Sequence, residues 1–595
     1  FQGGMTCGGA NCAFSTYDTL ADFLLGLPNQ GTAAGVAKAT QLTNPNALRW
    51  SEYAAYAQDQ WTVSPRLTLN YGVRYEFYPP PYRDHSGVYI ADPTLPQSAN
   101  VEIGGVGGNP QNAGLQMGWG YFAPRLGIAY RLNDKTVVRT GGGITSDPDS
   151  LRFLRDTFPE DVAPSYTGIA ANSIAVDPAN GNAPMTLSYG IPATVFPPIV
   201  GGFASLPVSG STVTATKNWH RGYIESWNLF FEHDFGAGLV GDLGYVGTHA
   251  VRQLTQTGYL NAAPLPSATT PCMANGHYDP STGLSGKCNF AANTFINQVW
   301  CNGTANLVCY NTGGIGYVEP LFSTNYNGLQ AQLTRNAGKN SSFGLIYTWS
   351  HAFAFAENGA GSGSAGLAWN YPGYYAFNRA TASYDRTNNV QFWGIYSLPI
   401  GRGQKFAQSG IANAILGGFQ LNGQLSHISG APFTVGTAGA AINAPGNPLY
   451  ANLIKPFHQI GGHNRTPGNG AVSNGNPWFD PTAFVVPTEP SACIAGDVGC
   501  TNPNGTAAAP AAFPVLGNTH RNQFRGPGQT VINASVFRGF RMYRESQFQI
   551  RFEAFNVLNH PLLNNPNVTV PGGTFGYITS FGNTRALQLS GRINF

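Results

Sequence analysis

The chain has 595 residues, 10% charged and 12% aromatic, with 76 Gly, 42 Pro and a net charge of +3. That near-neutral balance gives no electrostatic case for binding nucleic acid. A mean hydropathy of −0.14 excludes an oily helical bundle, and no run reaches the roughly 18 apolar residues of a membrane-spanning helix. Charge is far below the roughly 25% of an average soluble domain, and the aromatics, Gly and long polar stretches point to a large all-β protein.

The opening residues FQGGMTCGGA carry no initiator Met, no basic stretch and no apolar leader. They read as part of a chain cut from something longer. Residues 49–61 (RWSEYAAYAQDQW) form the first strand candidate, and TVSP with Pro65 makes a tight turn. Residues 66–78 follow as the clearest alternating strand. Leu67, Leu69, Tyr71, Val73, Tyr75 and Phe77 take one face, and Thr68, Asn70, Gly72, Arg74 and Glu76 the other. The hairpin unit then recurs. Residues 124–132 turn at Asn133-Asp134-Lys135, residues 224–235 at Gly236-Ala237-Gly238, and residues 327–335 through NAGKNS. Residues 389–398 turn through PIGRGQKF, and residues 530–537 through RGFRMYRE. The chain ends in a lone strand, ALQLSGRINF.

This makes about thirteen strands whose connections alternate in length. Short turns lie on one side. On the other lie residues 79–120, 146–220, 250–322, 354–385, 436–522 and 557–585. Short periplasmic turns, long extracellular loops and apolar/polar alternation are the signature of a transmembrane antiparallel β-barrel. A soluble β-sandwich would turn every 8–12 residues instead. An odd strand count leaves the first strand without a hairpin partner, whereas a bacterial barrel is even. The expectation is therefore a partial barrel over residues 49–595, with residues 1–48 the remnant of an extracellular loop, and no normal pairing between first and last strands.

In this frame the lipid-facing set is Leu67, Leu69, Tyr71, Val73, Tyr75, Phe77, Trp227, Leu229, Phe231, Phe343, Leu345, Tyr347, Phe548, Ile550 and Phe552. The lumen-facing set is Arg74, Glu76, Arg125, Arg131, Arg139, Glu232, Asp242, Arg335, Arg551, Glu553 and Arg592. A charge pointing at lipid near the midplane costs about 2–4 kcal/mol, which favours the inward register for these groups. Aromatics toward strand ends, such as Trp61, Trp227, Phe235, Trp349 and Tyr396, suit interfacial girdles.

The eight cysteines fall in close pairs: Cys7 with Cys12, Cys272 with Cys288, Cys301 with Cys309, and Cys493 with Cys500. An even count in Gly/Asn/Pro-rich loops reads as disulfides of an oxidising compartment. Zinc is the rival, without a CxxC or a supporting histidine spacing. Eleven scattered histidines, no HExxH and no G-x-S-x-G elbow leave no catalytic set, so no enzyme activity and no cofactor are expected. Asp147–Ser150 (DPDS) could touch a cation, but reads more simply as turn chemistry.

Residues 521–561 (RNQFRGPGQTVINASVFRGFRMYRESQFQIRFEAFNVLNHP) resemble the C-terminal barrel of Oar-like TonB-dependent receptors, common in Acidobacteria and related Gram-negative bacteria. Residues 56–76, 243–254, 347–353, 417–435 and 476–484 (NPWFDPTAF) match in the same order, as does the terminal strand. The resemblance implies the last thirteen strands of a 22-stranded outer-membrane transporter, with the plug and TonB box absent. It implies uptake of a bulky, scarce nutrient such as a siderophore, oligosaccharide or peptide, captured by the extracellular loops. Its partners would be outer-membrane lipid, the TonB complex through the missing N-terminal part, and the barrel-assembly machinery. That machinery would read Leu587, Leu589, Ile593 and the terminal Phe595. The competing classes are a plugless structural or adhesive barrel and a secreted β-rich carbohydrate-binding protein.

Overall fold

The structure, a computed structural model, describes residues 16–27, 35–37, 40–41, 48–83, 87–91, 100–146, 161–162, 165–167, 176–177, 183–184, 186–190, 198–205, 212–257, 315–337, 341–358, 365–369, 372–437, 448, 450–460, 476–486, 517–542, 546–582 and 584–595. A short helix, α1 (Thr16–Leu24), precedes thirteen main strands. These are β1 (Tyr53–Ser64), β2 (Leu67–Phe77), β3 (Phe122–Asn133), β4 (Thr136–Ser146), β5 (Tyr223–Gly236), β6 (Leu239–Thr257) and β7 (Ile315–Ala337). They continue with β8 (Ser341–Ala354), β9 (Asn388–Ser397), β10 (Phe419–Ile428), β11 (Gln529–Arg541), β12 (Gln547–Phe555) and β13 (Ala586–Asn594). A second helix, α2 (Gly410–Leu416), lies in the connection from β9 to β10.

Each main strand pairs antiparallel with the next, in one sheet of barrel order. The register fixes which side chains share a face, because residues directly opposite point the same way. One row runs Leu69, Ile128, Thr140, Leu229, Tyr245, Leu329, Trp349. A row on the other face runs Val137, Glu232, Asp242, Gln332, Ile346, Gln391, Ser426. The sheet thus has an apolar and a polar face, each continuous across strands far apart in sequence.

Tracing the named residues through the ladder places Arg74, Glu76, Arg125, Arg131, Arg139, Glu232 and Asp242 on the polar face. Arg551, Glu553 and Arg592, opposite Ser590, Gln588 and Gln549, share it. Arg335 does not. It stands opposite Phe343 and Leu239, on the face of Leu345 and Tyr347. The lumen assignment of Arg335 is therefore corrected. The position lies two residues from the end of β7, where a long cationic side chain can reach water from an apolar surface.

Three further boundaries differ from the sequence reading. β1 starts at Tyr53, because Leu48–Arg49 pairs separately with Tyr82–Arg83. β11 continues to Arg541 through residues expected to turn. β6 and β7 climb far into the expected loop, paired as far as Thr257 and Tyr317. The 23 residues of β7 reach about 76 Å at about 3.3 Å each, well over twice the membrane-crossing span of 9–11 residues. The ladder bends where its register shifts at Gln253, beside left-handed Arg252 (φ 56°), as a bulge requires.

The four expected disulfides find no counterpart among the described residues. Cys7 and Cys12, Cys272 and Cys288, Cys301 and Cys309, and Cys493 and Cys500 all lie outside them.

Every consecutive pair from β1 to β13 has a residue register; the closed-barrel strand order sets β13 beside β1, with no residue register between those two among the described residues. All twelve residues of β1 are exposed, as are nearly all those of β13. With thirteen alternating strands, β1 and β13 run in the same direction, so an antiparallel ladder between them is geometrically excluded.

The turn from β5 to β6 places Gly236, Ala237 and Gly238 all at positive φ (86°, 51° and 72°), and Asp234 Oδ1 accepts from the Gly236 N–H at 2.8 Å. Within the ladder Gly247 lies under the ring of Trp227, where a Cβ would sit 2.3 Å from Cε2. Overpacking of this kind costs about 1–3 kcal/mol. Gly247→Ala is expected to lower the unfolding stability of the detergent-folded chain by that amount, and Trp227→Ala in the same chain to relieve it. A wild-type urea midpoint for G247A would remove the close-packing account.

Candidate ligand surface on the long-loop side

The polar face carries ion pairs between strand neighbours. Arg74 Nε meets Glu76 Oε1 at 2.6 Å, Arg139 meets Glu232 at 3.1 Å, and Arg551 meets Glu553 at 3.6 Å. A cavity of about 220 Å³ on this face is lined in part by Tyr56, Gln58, Arg74 and Arg125. It falls below the roughly 300–1,000 Å³ of small-molecule pockets.

The long connections fold into two apolar-cored bodies. In the first, the resemblance motif at 476–484 supplies Trp478, Phe479 and Phe484, all buried with Phe433, Phe524 and Phe575. The rings meet in mixed geometries, with Phe479–Phe484 centroids at 5.2 Å, Phe479–Phe575 at 5.2 Å and Phe457–Phe524 at 4.7 Å. The Trp478 indole N–H donates to the Arg525 carbonyl at 3.2 Å. Asp480-Pro481 in the same motif starts a 3-10 turn. Asp480 Oδ1 accepts from the Thr482 hydroxyl (2.7 Å) and N–H (2.9 Å), and these bonds hold its carboxyl below the usual range.

The second body packs Val88, Ile90, Ala113, Leu115, Ala215 and Trp219 against Val318 on the extension of β7. Trp219 and Arg221 are each 1% exposed. The Arg221 guanidinium lies 3.6 Å over the Tyr78 ring, with Trp50 at 5.4 Å, so aromatic faces solvate the buried cation. Lys217 Nζ meets Glu102 Oε2 at 2.7 Å across this body.

Residues 521–526 (RNQFRG) latch the first body to the connection between β8 and β9. The Arg521 guanidinium donates to the carbonyls of Ala354 (2.5 Å) and Asn378 (2.8 Å) and lies 3.6 Å from Glu357. Asn522 Nδ2 donates to the Thr381 carbonyl at 2.8 Å. Arg525 forms a short ion pair with Asp385, whose side chain is 1% exposed and also accepts from the Ala352 N–H at 2.7 Å. His351 Nδ1 stands 3.4 Å from the same carboxylate. Beside this latch, Tyr374 and Phe377 stack at 5.7 Å with planes 12° apart, and Phe377 and Tyr384 are exposed. Burial pushes the Tyr450 phenol up to about 12, so it stays neutral.

The assembly offers a rigid, aromatic-rich, cation-bearing platform. Among the described residues no group of three or more His, Cys, Asp or Glu could hold a metal ion. Asp147–Ser150, like the cysteines, lies outside the described residues. The latch and the two cores escaped the sequence reading. The one available signal was the RNQFRG stretch itself, whose two arginines flank an aromatic.

A family model for an outer membrane beta barrel domain matches residues 1–588. No curated protein matches the chain. Among solved structures, the chain is similar to the outer membrane transporter YddB from Escherichia coli, with TM-score 0.41 and 8% identity over 91% of this chain and 44% of that one. It is also similar to the pyoverdine outer membrane receptor FpvA of Pseudomonas aeruginosa PAO1, with TM-score 0.38 and 9% identity over 92% of this chain and 43% of that one. The siderophore receptor PiuA of Acinetobacter baumannii scores 0.35 at 7% identity, over 92% and 44%. The chain spans less than half the length of each, and likenesses of this size say nothing about what it binds.

Breaking a buried ion pair by removing one partner costs about 3–5 kcal/mol. Arg525→Ala is expected to release the latch, seen as faster hydrogen exchange at residues 372–386 with the strands unchanged; unchanged exchange there would sink the latch. Burial also pushes the Glu319 carboxyl, on the extension of β7, above its usual range. The folded chain then binds that proton more tightly, so its contribution is full at low pH and is lost as pH rises through the raised value. Glu319→Gln is expected to raise the thermal midpoint at pH 8 and leave it unchanged at pH 4. Equal shifts at both would contradict this.

Proposed function

The chain belongs to the outer membrane beta-barrel domain family and lies in the outer membrane of a Gram-negative bacterium, and we propose that it is the C-terminal barrel portion of an Oar-like TonB-dependent receptor. In this reading it serves uptake of a bulky, scarce nutrient. The observation that carries it is the folding of the long-loop end into two apolar-cored bodies, one of them latched by arginines to the connection between β8 and β9, beside a sheet with one apolar and one polar face. A simple pore needs no such superstructure, whereas capture of a large ligand needs a preorganised surface. The apolar face takes lipid, and the polar face with its ion pairs lines the lumen.

The seam supports a larger barrel. β1 and β13 run in the same direction, so an odd number of further strands is needed to complete antiparallel pairing and an even total. The described residues between 26 and 41 pair with the connection between β4 and β5. Gly35–Ala37 pairs with Ser165–Thr167, and the Leu187 N–H donates to the Gly26 carbonyl at 2.9 Å. Leu587, Leu589, Ile593 and Phe595 are all exposed at the end of the chain, Phe595 completely. That suits a strand presented first to the assembly machinery. Energy would reach the receptor through TonB, and no enzyme activity is proposed.

The test is the reading frame upstream of Phe1 in the source DNA. The expected outcome is a signal peptide, a plug with a TonB box, and about nine more strands, the number that fills the odd gap and gives 22. A start codon and signal peptide directly before FQGGMTC would overturn the transporter reading and favour a plugless adhesive barrel.

A further inference from the structure

The short-connection end carries a helix built the wrong way round for water. α2 turns its one polar side chain toward the protein: Asn413 is half-buried, and its Oδ1 accepts from the Arg402 N–H at 3.0 Å. Its apolar residues point away. Ile411 is 79% exposed, Ile415 59% and Leu416 50%. A surface helix in water buries its apolar stripe and exposes its polar one.

The register shows which side of the wall this helix occupies. Arg538 stands opposite Ile550 and Phe419, on the apolar face. Its guanidinium donates to the carbonyls of Ala414 (2.6 Å) and Ile415 (3.0 Å), at the C-terminal end of α2. The helix end is therefore held at the apolar face and not at the lumen. Exposed Tyr396, Phe540, Met542 and Ile550 continue the apolar surface beside it. The Arg538 cation lies over the Phe540 ring at 4.5 Å and the Phe419 ring at 5.3 Å, so its stem covers apolar surface while its head stays at the rim.

Charge around the helix is one-sided. Among the described residues, the connection at 398–418 and Arg538 beside it carry three cations, Arg402, Lys405 and Arg538, and no acidic side chain. Arg335, the other cation found on the apolar face, sits at the same short-connection end. Apolar side chains facing outward, continuous with the lipid-facing surface and ringed by cations, match the boundary between acyl chains and anionic headgroups.

We propose that α2 is an interfacial anchor that lies in the periplasmic leaflet of the outer membrane, with Ile411, Ile415 and Leu416 among the acyl chains and Arg402 and Lys405 on the headgroups of anionic phospholipids. The inference rests on the membrane placement of the sheet but not on transport, so an upstream sequence without a plug would leave it standing.

The full chain, folded in detergent, is incubated with equal phosphatidylglycerol and phosphatidylcholine and examined by native mass spectrometry. Phosphatidylglycerol is expected to be retained preferentially, and Arg402→Gln with Lys405→Gln to reduce that preference about fivefold per residue, as about 1 kcal/mol per basic residue implies. Equal retention of the two lipids, or a preference untouched by the double variant, would overturn the headgroup site. In bilayers of the same two lipids, a single fluorescent residue at position 411 is expected to be quenched by doxyl-labelled lipid and shielded from iodide. Quenching by iodide alone would place the helix in water. A dimer abolished by Ile411→Ser would show a second copy covering the face. Either result overturns the anchor.

Discussion

The rest of the molecule depends on one requirement: a strand in lipid has no water with which to satisfy its backbone, so its N–H and C=O groups must be met by neighbouring strands. Twelve consecutive antiparallel ladders meet that demand from Tyr53 to Asn594. Because side chains alternate with period two, each ladder also commits every residue to a face. A slip by one would turn Arg139 and Glu232 toward lipid. Ion pairs such as Arg139–Glu232 follow from the register and do not create it. The seam where β13 lies beside β1 in the barrel order has no residue register among the described residues, which is why the proposal of further strands starts there.

Outside the membrane the constraint changes, and so does the construction. The long connections face water, where apolar burial again drives folding. Surface connections ordinarily bury little, but these build small cores of their own around Phe479 and Trp219. Polar groups then orient these cores. Asp385 is buried, so it must be satisfied. It takes a backbone N–H from Ala352 at the top of β8 and the Arg525 guanidinium from a connection 140 residues further along the chain. The apolar cores supply the rigidity, and the latch sets how one body sits against the next connection.

Strand positions were legible in the sequence because alternation is local: Leu67 to Phe77 needs no knowledge of Ile128 to declare its faces. The short turns were legible for the same reason. The loop cores were not. Phe433 and Phe524 meet across a stretch with no periodic pattern, and only tertiary contact reveals that Trp478 and Phe479 are core residues. Arg335 shows a different limit. Assigning it inward assumed that charge always follows the polar face. That fails at the rim, where a long side chain reaches water or headgroups, and at Asp59 within β1, which stands opposite Tyr71 on the apolar face and accepts from its hydroxyl at 3.0 Å. The extent of β6 and β7 was missed because their upper halves stand in water and need no apolar alternation.

The two ends of the sheet therefore answer to different solvents. At the long-loop end two aromatic cores turn inward and cations bridge segments, while Trp119, Phe377 and Tyr384 stay exposed: Phe479 is fully buried, and Arg521 directs its donors to carbonyls. At the short-connection end the pattern reverses. Ile411, Ile415 and Phe595 turn outward, and Arg538 sits over exposed rings while closing the end of α2. In a single aqueous surround the outward apolar set at the short-connection end would be an aggregation hazard. That set is the expected outcome where one end projects into water as a folded superstructure and the other is seated against a leaflet. In that arrangement inverted α2 and outward Arg335 obey the same solvent logic as the cores they contradict at first sight.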